Sequence, residues 1–298
     1  MPVSPFSLDS LRAIIIDQFP EHAGAQFTLL SEGWDSVAVD IDDRLIFKFP
    51  RHEKGEAALR REAAILGIVG ATVTLPVPKL ALFETPRIFS RHEKLPGDHL
   101  LPAHYDALDE AARQALGETL GQFYAELHSI EPVQAIAAGL QPADAWLDAD
   151  DILRLAMPVL PEALKPFAEC AMAEWRILEP DPYGDIYGYF DGHGWNMAFD
   201  HTNNRLNGVY DFADSGIGPL HREFVSSSLV SPDLTPRIVA SYERHSGRTL
   251  DRKRIDVLTA THWLGELAAE ADMPHVGEMV EHLLFWHGRR QYCATRRA

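Results

Sequence analysis

The feature that most constrains the fold is a change in hydrophobic pattern near residue 100. Before this point short apolar runs typical of strands dominate, and after residue 105 the pattern is mostly helical. The strand-like runs are 27–33, 37–41, 44–49, 79–84 and 87–95, with helical patterns at 8–19 and 55–69. The later helical patterns are 106–128, 150–157, 161–177, 235–245, 251–271 and 276–291. The sequence therefore predicts an α+β protein with a small strand-rich N-terminal part and a larger helical C-terminal part.

A hairpin is predicted in the N-terminal part. Val37, Val39 and Ile41 recur at every second position, and a second strand-like run follows Asp42 and Asp43 almost at once. Aspartate is common in tight turns. We expect these two runs to pair antiparallel.

Charge and composition narrow the class of partner. The 298 residues carry a formal net charge of −17, and 46% of them are hydrophobic. This length predicts one large domain or two lobes, with enough chain to bury a core. So acidic a chain predicts no binding to nucleic acid or to anionic membranes. It suits a small cationic partner, although acidic balances also serve solubility alone.

The cysteines and the apolar runs indicate a reducing compartment. Cys170 and Cys293 do not make a disulfide framework. The first residues lack the pattern of a signal peptide, and no uncharged apolar run approaches the ~18 residues of a membrane span. We therefore expect a cytoplasmic protein.

The C-terminal part holds one clear strand pair, at 188–212, and polar residues interrupt it. Asp191 and Asn196 are five positions apart, and Asp211 lies twenty positions beyond Asp191. The catalytic loop of protein kinases has the spacing D-x-x-x-x-N, in which the aspartate accepts a hydroxyl proton and the asparagine binds Mg²⁺. A second carboxylate at a strand end suits the same hard cation. The spacing taken alone also fits an ordinary surface loop.

A lysine and a glutamate in the N-terminal part form a second constellation. Lys48 ends a predicted strand, and Glu62 shares one face of the following helix with Leu59 and Leu66. An unpaired buried charge is costly, so Glu62 needs a partner, and Lys48 is the natural candidate. Kinases hold nucleotide phosphates with such a pair. An ordinary structural ion pair remains the alternative.

Longer segments carry a resemblance to a known family. They are SEGWDSVAVDI, LIFKFPRHEKG, RREAAIL, GQFYAELHSI and NNRLNGVYDFADSGIG, in this order along nearly the whole chain. The chain resembles the aminoglycoside phosphotransferases, and most closely their 2″-phosphotransferase branch. The resemblance implies a protein-kinase-like, two-lobed fold with an antiparallel sheet and one key helix in the small lobe. It places the nucleotide-binding lobe at 1–92, the hinge at 93–98 and the helical lobe at 99–298.

The resemblance also implies roles for single residues. Asp191 would be the catalytic aspartate, and Asn196 and Asp211 would hold Mg²⁺. ATP or GTP would be the phosphoryl donor. Its contacts would be Lys48 on the phosphates, Glu62 orienting Lys48, the loop from Ser31 to Ser36 over the phosphates, and His92, Glu93, Lys94 and Leu95 against the purine.

The chain departs from the family pattern near the catalytic aspartate. Members usually carry histidine two positions before that aspartate, whereas this chain has Tyr189 followed by Phe190. Such a histidine helps to brace the loop, and a tyrosine hydroxyl could take its place. The Mg²⁺ aspartate opens D-F-A, with Ala213 where kinases have glycine.

The acceptor is expected to be a small cationic molecule bound by a monomer. An aminoglycoside is the first candidate, with Asp214, Glu223, Glu266 and Glu270 as its acidic contacts. For Glu266 and Glu270, a solvated charged helix face is the alternative. The region after Glu223 is poor in acids, which favours another hydroxyl compound such as a macrolide, a sugar or an amino alcohol. A pseudokinase that binds nucleotide without turnover is the alternative from another class.

Overall fold

The computed structural model describes residues 6–30 and 36–289, and the predicted residues Ser31 to Asp35 lie outside this range. The strands are β1 Phe27–Leu30, β2 Ser36–Ile41, β3 Leu45–Pro50, β4 Ala81–Phe83, β5 Phe89–Glu93, β6 Asp185–Gly188, β7 Met197–Asp200, β8 Arg205–Val209 and β9 Gly216–Pro219. The helices are α1 Leu8–Gln18, α2 Glu53–Thr72, α3 Pro102–Ala107, α4 Glu110–Leu127, α5 Pro132–Ala137, α6 Ala149–Ala156, α7 Lys165–Arg176, α8 Leu234–Ser246, α9 Arg252–Ala269 and α10 Val276–Arg289. The predicted α+β class is confirmed.

The N-terminal part is an antiparallel five-stranded sheet in the order β1-β2-β3-β5-β4. The predicted hairpin is present, since Val39 pairs with Phe47 across β2 and β3. Asp42 and Asp43 both have φ of 55°, and the Arg44 N–H donates to the Ile41 carbonyl at 3.0 Å. Two consecutive positive φ values make the type I′ turn that suits strand twist.

Helix α2 connects the sheet to the helical part. It begins where the His52 ring accepts from the Gly55 N–H at 3.1 Å. Its buried face includes Leu59, Glu62 and Leu66, as the spacing predicts. Farther along the helix, Ile65 and Val69 join the large core that α4 and α8 also build.

The helical part differs from the sequence prediction in several places, one of which is the unpredicted short helix α5 at Pro132–Ala137. The helix predicted at 106–128 is two helices, because the Asp109 side chain caps a new helix by accepting from the Ala112 N–H at 2.8 Å. A second strand pair, β6 with β9, accompanies the predicted pair β7 with β8. Each of these strands is only four residues long, which is too short for a clear period. Asp191, the candidate catalytic aspartate, lies three residues after the end of the short strand β6.

No helix in the described ranges is both long and apolar enough to cross a lipid bilayer.

Candidate active site

Lys48 and Glu62 form the predicted ion pair. The Lys48 Nζ lies 3.1 Å from Glu62 Oε2 and 2.9 Å from Asp211 Oδ1. Burial acts to lower the pKa of Lys48, but the charges of Glu62 and Asp211 outweigh it and raise this pKa above its ordinary value. The lysine therefore stays protonated, and it joins the N-terminal sheet to the aspartate of the helical part.

Glu62 holds a second group besides the lysine. Its Oε1 accepts from the Phe212 N–H at 3.1 Å, while its Oε2 faces Lys48. Phe212 follows Asp211, whose φ is 62°. A non-glycine residue in the left-handed region is uncommon and marks a position that its surroundings hold in place. One buried carboxylate thus fixes both Lys48 and the backbone beside Asp211.

The loop after β6 brings Asp191 and Asn196 together. The Asn196 Nδ2 donates to Asp191 Oδ2 at 2.6 Å and to the Asp191 carbonyl at 3.1 Å. The His193 Nε2 lies 3.1 Å from the other carboxylate oxygen of Asp191. The five-residue spacing therefore closes a compact turn in which the asparagine orients the aspartate.

Two glycines permit this turn. A Cβ at Gly192 would lie 1.9 Å from the Tyr124 hydroxyl, and one at Gly194 would lie 1.9 Å from the Leu100 carbonyl oxygen. No side chain fits at such distances. Glycine at positions 192 and 194 is thus required by close packing against α4 and the segment before α3.

Glu223 holds the residues directly before Asp191 through hydrogen bonds to their backbone. Its carboxylate accepts from the Tyr189 N–H at 2.8 Å and from the Phe190 N–H at 2.9 Å, and it contacts His128 Nε2 at 3.0 Å. The Ser226 hydroxyl donates to the Phe190 carbonyl at 2.8 Å. Phe190 has a φ of 59° directly before Asp191. Both backbone polar groups of this strained residue are therefore held by side chains.

The tyrosine at the departure from the family pattern also contributes a bond. The Tyr189 side chain is completely buried, and its hydroxyl donates to the carbonyl of Tyr210. Tyr210 precedes Asp211, so this bond joins the Asp191 loop to the Asp211 segment.

A cavity of about 550 Å³ lies against the N-terminal sheet. Its apolar wall includes Ala38, Ile46 and Leu95, and Lys48 and Asp211 line it as well. This volume lies within the range of roughly 300–1,000 Å³ that is usual for ligand sites. We call it the nucleotide cavity, because it combines an apolar slot with the predicted phosphate-binding lysine.

Three of the predicted purine contacts line this cavity, namely His92, Lys94 and Leu95. Burial, and then the charge of Lys48, lowers the pKa of His92 to about 4, so this cavity-lining imidazole is neutral at pH 7. The Lys94 N–H donates to the Arg44 carbonyl at 2.8 Å. The Lys94 side chain pairs with Asp40 at 2.7 Å.

Two predicted nucleotide contacts stand apart from this cavity. Ser36 begins β2 opposite Pro50, and it is not on the cavity wall. Glu93 lies at the end of β5 with an exposed side chain, so only its backbone can face a purine. Ser31 lies outside the described residues.

A second cavity, of about 670 Å³, shares no lining residue with the nucleotide cavity. Asp191 lines it together with Asp214, Glu266, Arg222 and Trp146. We call it the acceptor cavity, because a hydroxyl bound in it can meet the Asp191 carboxylate. Asp191 and Asp211 thus face different cavities from adjacent segments.

The four acids predicted to contact the substrate do not share one wall. Asp214 and Glu266 line the acceptor cavity. The prediction for Glu223 is wrong, since its side chain is completely buried beneath the loop. Glu270 hydrogen-bonds His275 and does not line the cavity in the described chain. The four-residue spacing of Glu266 and Glu270 predicts that they share one helix face. It does not predict that the cavity extends along this face to Glu266 but not to Glu270.

Sequence reasoning missed most of the wall of the acceptor cavity, including Arg222, Trp146 and His262. Arg222 lies in a 3-10 segment and Trp146 in a loop, so neither has a periodic signal. His262 is in α9 beside the predicted Glu266, and the four-residue spacing between them was the available signal.

The oxygen donors of Asn196 and Asp211 fit Mg²⁺. Magnesium prefers oxygen ligands and commonly binds through one or two carboxylates plus substrate phosphates. Among residues 6–30 and 36–289 no cluster of three or more His, Cys, Asp or Glu side chains forms a metal site. A Mg²⁺ ion that is bound mainly through nucleotide phosphates does not need such a cluster.

Comparison with known families identifies the chain. The model of the phosphotransferase enzyme family (APH) matches residues 26–258. The chain belongs to this family. The match covers Lys48, Glu62, Asp191, Asn196 and Asp211, and it confirms the resemblance drawn from the sequence.

Several solved structures have the same fold as this chain at low sequence identity. The GDP complex of wild-type aminoglycoside 2′-phosphotransferase-IIIa superposes with a TM-score of 0.76 at 18% identity, covering 95% of this chain and 99% of the other. The streptomycin–ATP ternary complex of APH(2″)-IIa gives 0.61 at 19% identity, covering 91% and 95%. The apoenzyme of macrolide 2′-phosphotransferase MphH from Brachybacterium faecium gives 0.65 at 14%, covering 91% and 97%. These similarities establish the kinase-like fold.

Proposed function

We propose that this phosphotransferase moves the γ-phosphoryl group of ATP or GTP to a hydroxyl group of a small molecule. The observation that carries the proposal is the arrangement of two cavities around one catalytic loop. Lys48, Glu62 and Asp211 line the nucleotide cavity, and Asp191 lines the acceptor cavity. Such an arrangement brings a bound triphosphate and a bound hydroxyl toward each other from opposite sides.

Each side chain has a role in this transfer. Asp191, oriented by Asn196, faces the acceptor hydroxyl and takes its proton as the oxygen attacks the γ-phosphorus in line. Lys48, oriented by Glu62, binds phosphate oxygens and neutralises the charge that develops on them. Asn196 and Asp211 would hold Mg²⁺, which supplies further positive charge to the phosphates. No covalent phosphoenzyme is required.

The aminoglycoside is the first acceptor candidate, because several similar structures are enzymes that act on that class. A second candidate, a hydroxyl compound outside this class, is favoured by the charges of the acceptor cavity. Two of the four predicted acids do not face the cavity, and Arg222 does. A polycation would meet that positive charge. The cytoplasmic location and the monomeric state remain predictions.

Phosphoryl transfer is tested from ATP and, separately, from GTP to aminoglycosides, macrolides and amino alcohols, with mass detection of the product. Asp191→Ala should lower turnover by roughly 10²–10⁴-fold, the usual contribution of a general base. Nucleotide binding, followed by thermal shift, should remain, because Asp191 does not line the nucleotide cavity. Unchanged turnover in this variant would contradict the role of Asp191. Nucleotide binding without any turnover in the wild type would identify a pseudokinase.

A further inference from the structure

Arg222 occupies an unusual place in the wall of the acceptor cavity. Its Cζ lies 4.7 Å from the centre of the Trp146 ring and 5.6 Å from that of Phe190. Its Nη1 donates to the Asp144 carbonyl at 2.6 Å. Two aromatic rings and a carbonyl therefore fix the guanidinium beside Asp191, which follows Phe190.

This guanidinium has no carboxylate partner among the described residues. Within the ranges 6–30 and 36–289, no Asp or Glu oxygen lies within 4.0 Å of an Arg222 nitrogen. Arginine has five N–H donors, and one carbonyl bond leaves most of them available. Arg237, by contrast, pairs with Glu110 at 2.7 Å and with Asp233 at 2.9 Å. Arg222 is thus a partly buried cation that a ligand can still pair.

A carboxylate on the same cavity also lacks a cationic partner. The nearest basic group to Glu266 in the described chain is His262, at 3.8 Å between Nδ1 and Oε1. Burial, and then the charge of Arg222, lowers the pKa of His262 to about 4, so this imidazole is neutral at pH 7. Glu266 and Arg222 are both on the wall but form no ion pair with each other. Arg222 and Glu266 are therefore opposite charges on one wall that no ion pair joins. The other charged residues that line this cavity are Lys54, Arg61, Asp144, Asp191 and Asp214.

We infer that Arg222 selects the acceptor by pairing with a carboxylate that the acceptor carries, while Glu266 faces its amine. The inference rests on the proposed function and narrows its substrate to a zwitterionic hydroxy compound, such as a hydroxylated amino acid. Planar guanidinium groups bind carboxylates through two parallel hydrogen bonds. A polycation that lacks an acidic group meets Arg222 as a like charge, which disfavours it.

The test compares acceptors that differ only in the carboxylate. Serine, threonine and homoserine are assayed beside their methyl esters, with kanamycin and gentamicin as polycations. The enzymes are the wild type, Arg222→Gln and Arg222→Lys. Arg113→Gln is the matched control, because Arg113 also lies over an aromatic ring, at 5.1 Å from the centre of Tyr105, and donates to a carbonyl. It lines neither cavity.

The inference requires product on a free hydroxy amino acid, with much less on its methyl ester. Arg222→Gln should raise KM for that acceptor by about 10- to 100-fold, the usual effect of losing a charged hydrogen bond, with kcat within a few-fold. Arg222→Lys should recover only part of the affinity, because lysine lacks the planar fork. Arg113→Gln should leave KM unchanged.

Three outcomes would overturn the inference. Equal KM values for wild type and Arg222→Gln with a carboxylate acceptor would remove the role of Arg222. Efficient transfer to kanamycin or gentamicin alone would show that the cavity accepts polycations. Absence of product on every hydroxy amino acid, with MgATP or MgGTP still raising Tm, would refute the inference and leave the proposed function standing. Absence of any nucleotide-dependent rise in Tm would refute the proposed function itself.

Discussion

The nucleotide cavity and the acceptor cavity differ in how their charges are satisfied. In the nucleotide cavity Lys48 contacts Glu62 and Asp211, and Lys94 pairs with Asp40. In the acceptor cavity, Arg222 has no carboxylate partner among the described residues. The only ion-pair partner of Glu266 among these residues is His262, which is neutral at pH 7. The lysines of the nucleotide cavity are thus paired within the protein, whereas Arg222 and Glu266 of the acceptor cavity can still pair with a ligand. This difference suits a constant donor and an acceptor that differs between family members.

The largest effect is expected from Glu62→Gln, which tests whether the nucleotide side is held by its own charges. Removing one partner of a buried pair typically costs about 3–5 kcal/mol, and we expect the lower end because Asp211 still pairs with Lys48. Nucleotide KM should rise. The measurements are urea unfolding and nucleotide titration.

Glu162→Gln is the control for this prediction. Glu162 forms an exposed pair with Lys165, so its loss should cost under about 1 kcal/mol. Equal losses of stability in the two variants would contradict the claim that burial makes the Glu62 pair important.

Glu223→Gln should affect catalysis more than nucleotide binding. The amide nitrogen of glutamine would face an N–H donor of Tyr189 or Phe190, which costs about 2 kcal/mol in a buried site. We expect lower kcat with an unchanged nucleotide KM. Glu270→Gln is the comparison, since the sequence assigned both residues to the substrate. An equal loss of stability in Glu270→Gln would argue against the bracing role.

Tyr189→Phe tests the bond between the two segments that carry the aspartates. Loss of the hydroxyl should cost about 1 kcal/mol and reduce kcat slightly, since the Tyr210 carbonyl loses its donor. Tyr183→Phe removes a hydroxyl at an exposed site that donates to the Thr249 carbonyl at 2.7 Å and accepts from the Thr249 N–H at 3.0 Å. Its smaller effect on thermal unfolding, with no effect on kcat, would separate bracing from general stability.

The smallest effect is the pH dependence of stability from His262 in the acceptor cavity. Its folded pKa of about 4 lies below the ordinary value of 6.5, so the unfolded chain takes up the proton first as pH falls. The stability is complete above pH 6.5 and is lost as the pH falls from 6.5 toward 4. The loss by pH 6 is about 0.8 kcal/mol. His262→Gln should remove this part of the pH dependence in denaturant titrations at pH 7.5 and pH 6. An identical slope in wild type and variant would show that the imidazole is not kept neutral.

Several elements followed from the sequence because their causes are local. Alternation and the Asp42-Asp43 turn predicted the β2–β3 hairpin. The apolar face of α2 predicted that Glu62 is buried, and the cost of burying a charge predicted its pairing with Lys48. The spacing of Asp191 and Asn196 predicted a compact loop, which the structure closes with a hydrogen bond.

The tertiary structure decided what depends on distant segments. Glu223 and Glu266 are equivalent as letters, yet one is buried beneath the loop and the other lines the acceptor cavity. Arg222 has no local signal, and only packing against Trp146, 76 positions earlier, places it in the wall. Periodicity and spacing report contacts within one element, whereas a cavity is the space that remains after all the elements have packed. The sequence alone thus determined the family and the fold class, while the walls of the acceptor cavity emerged only from the fold.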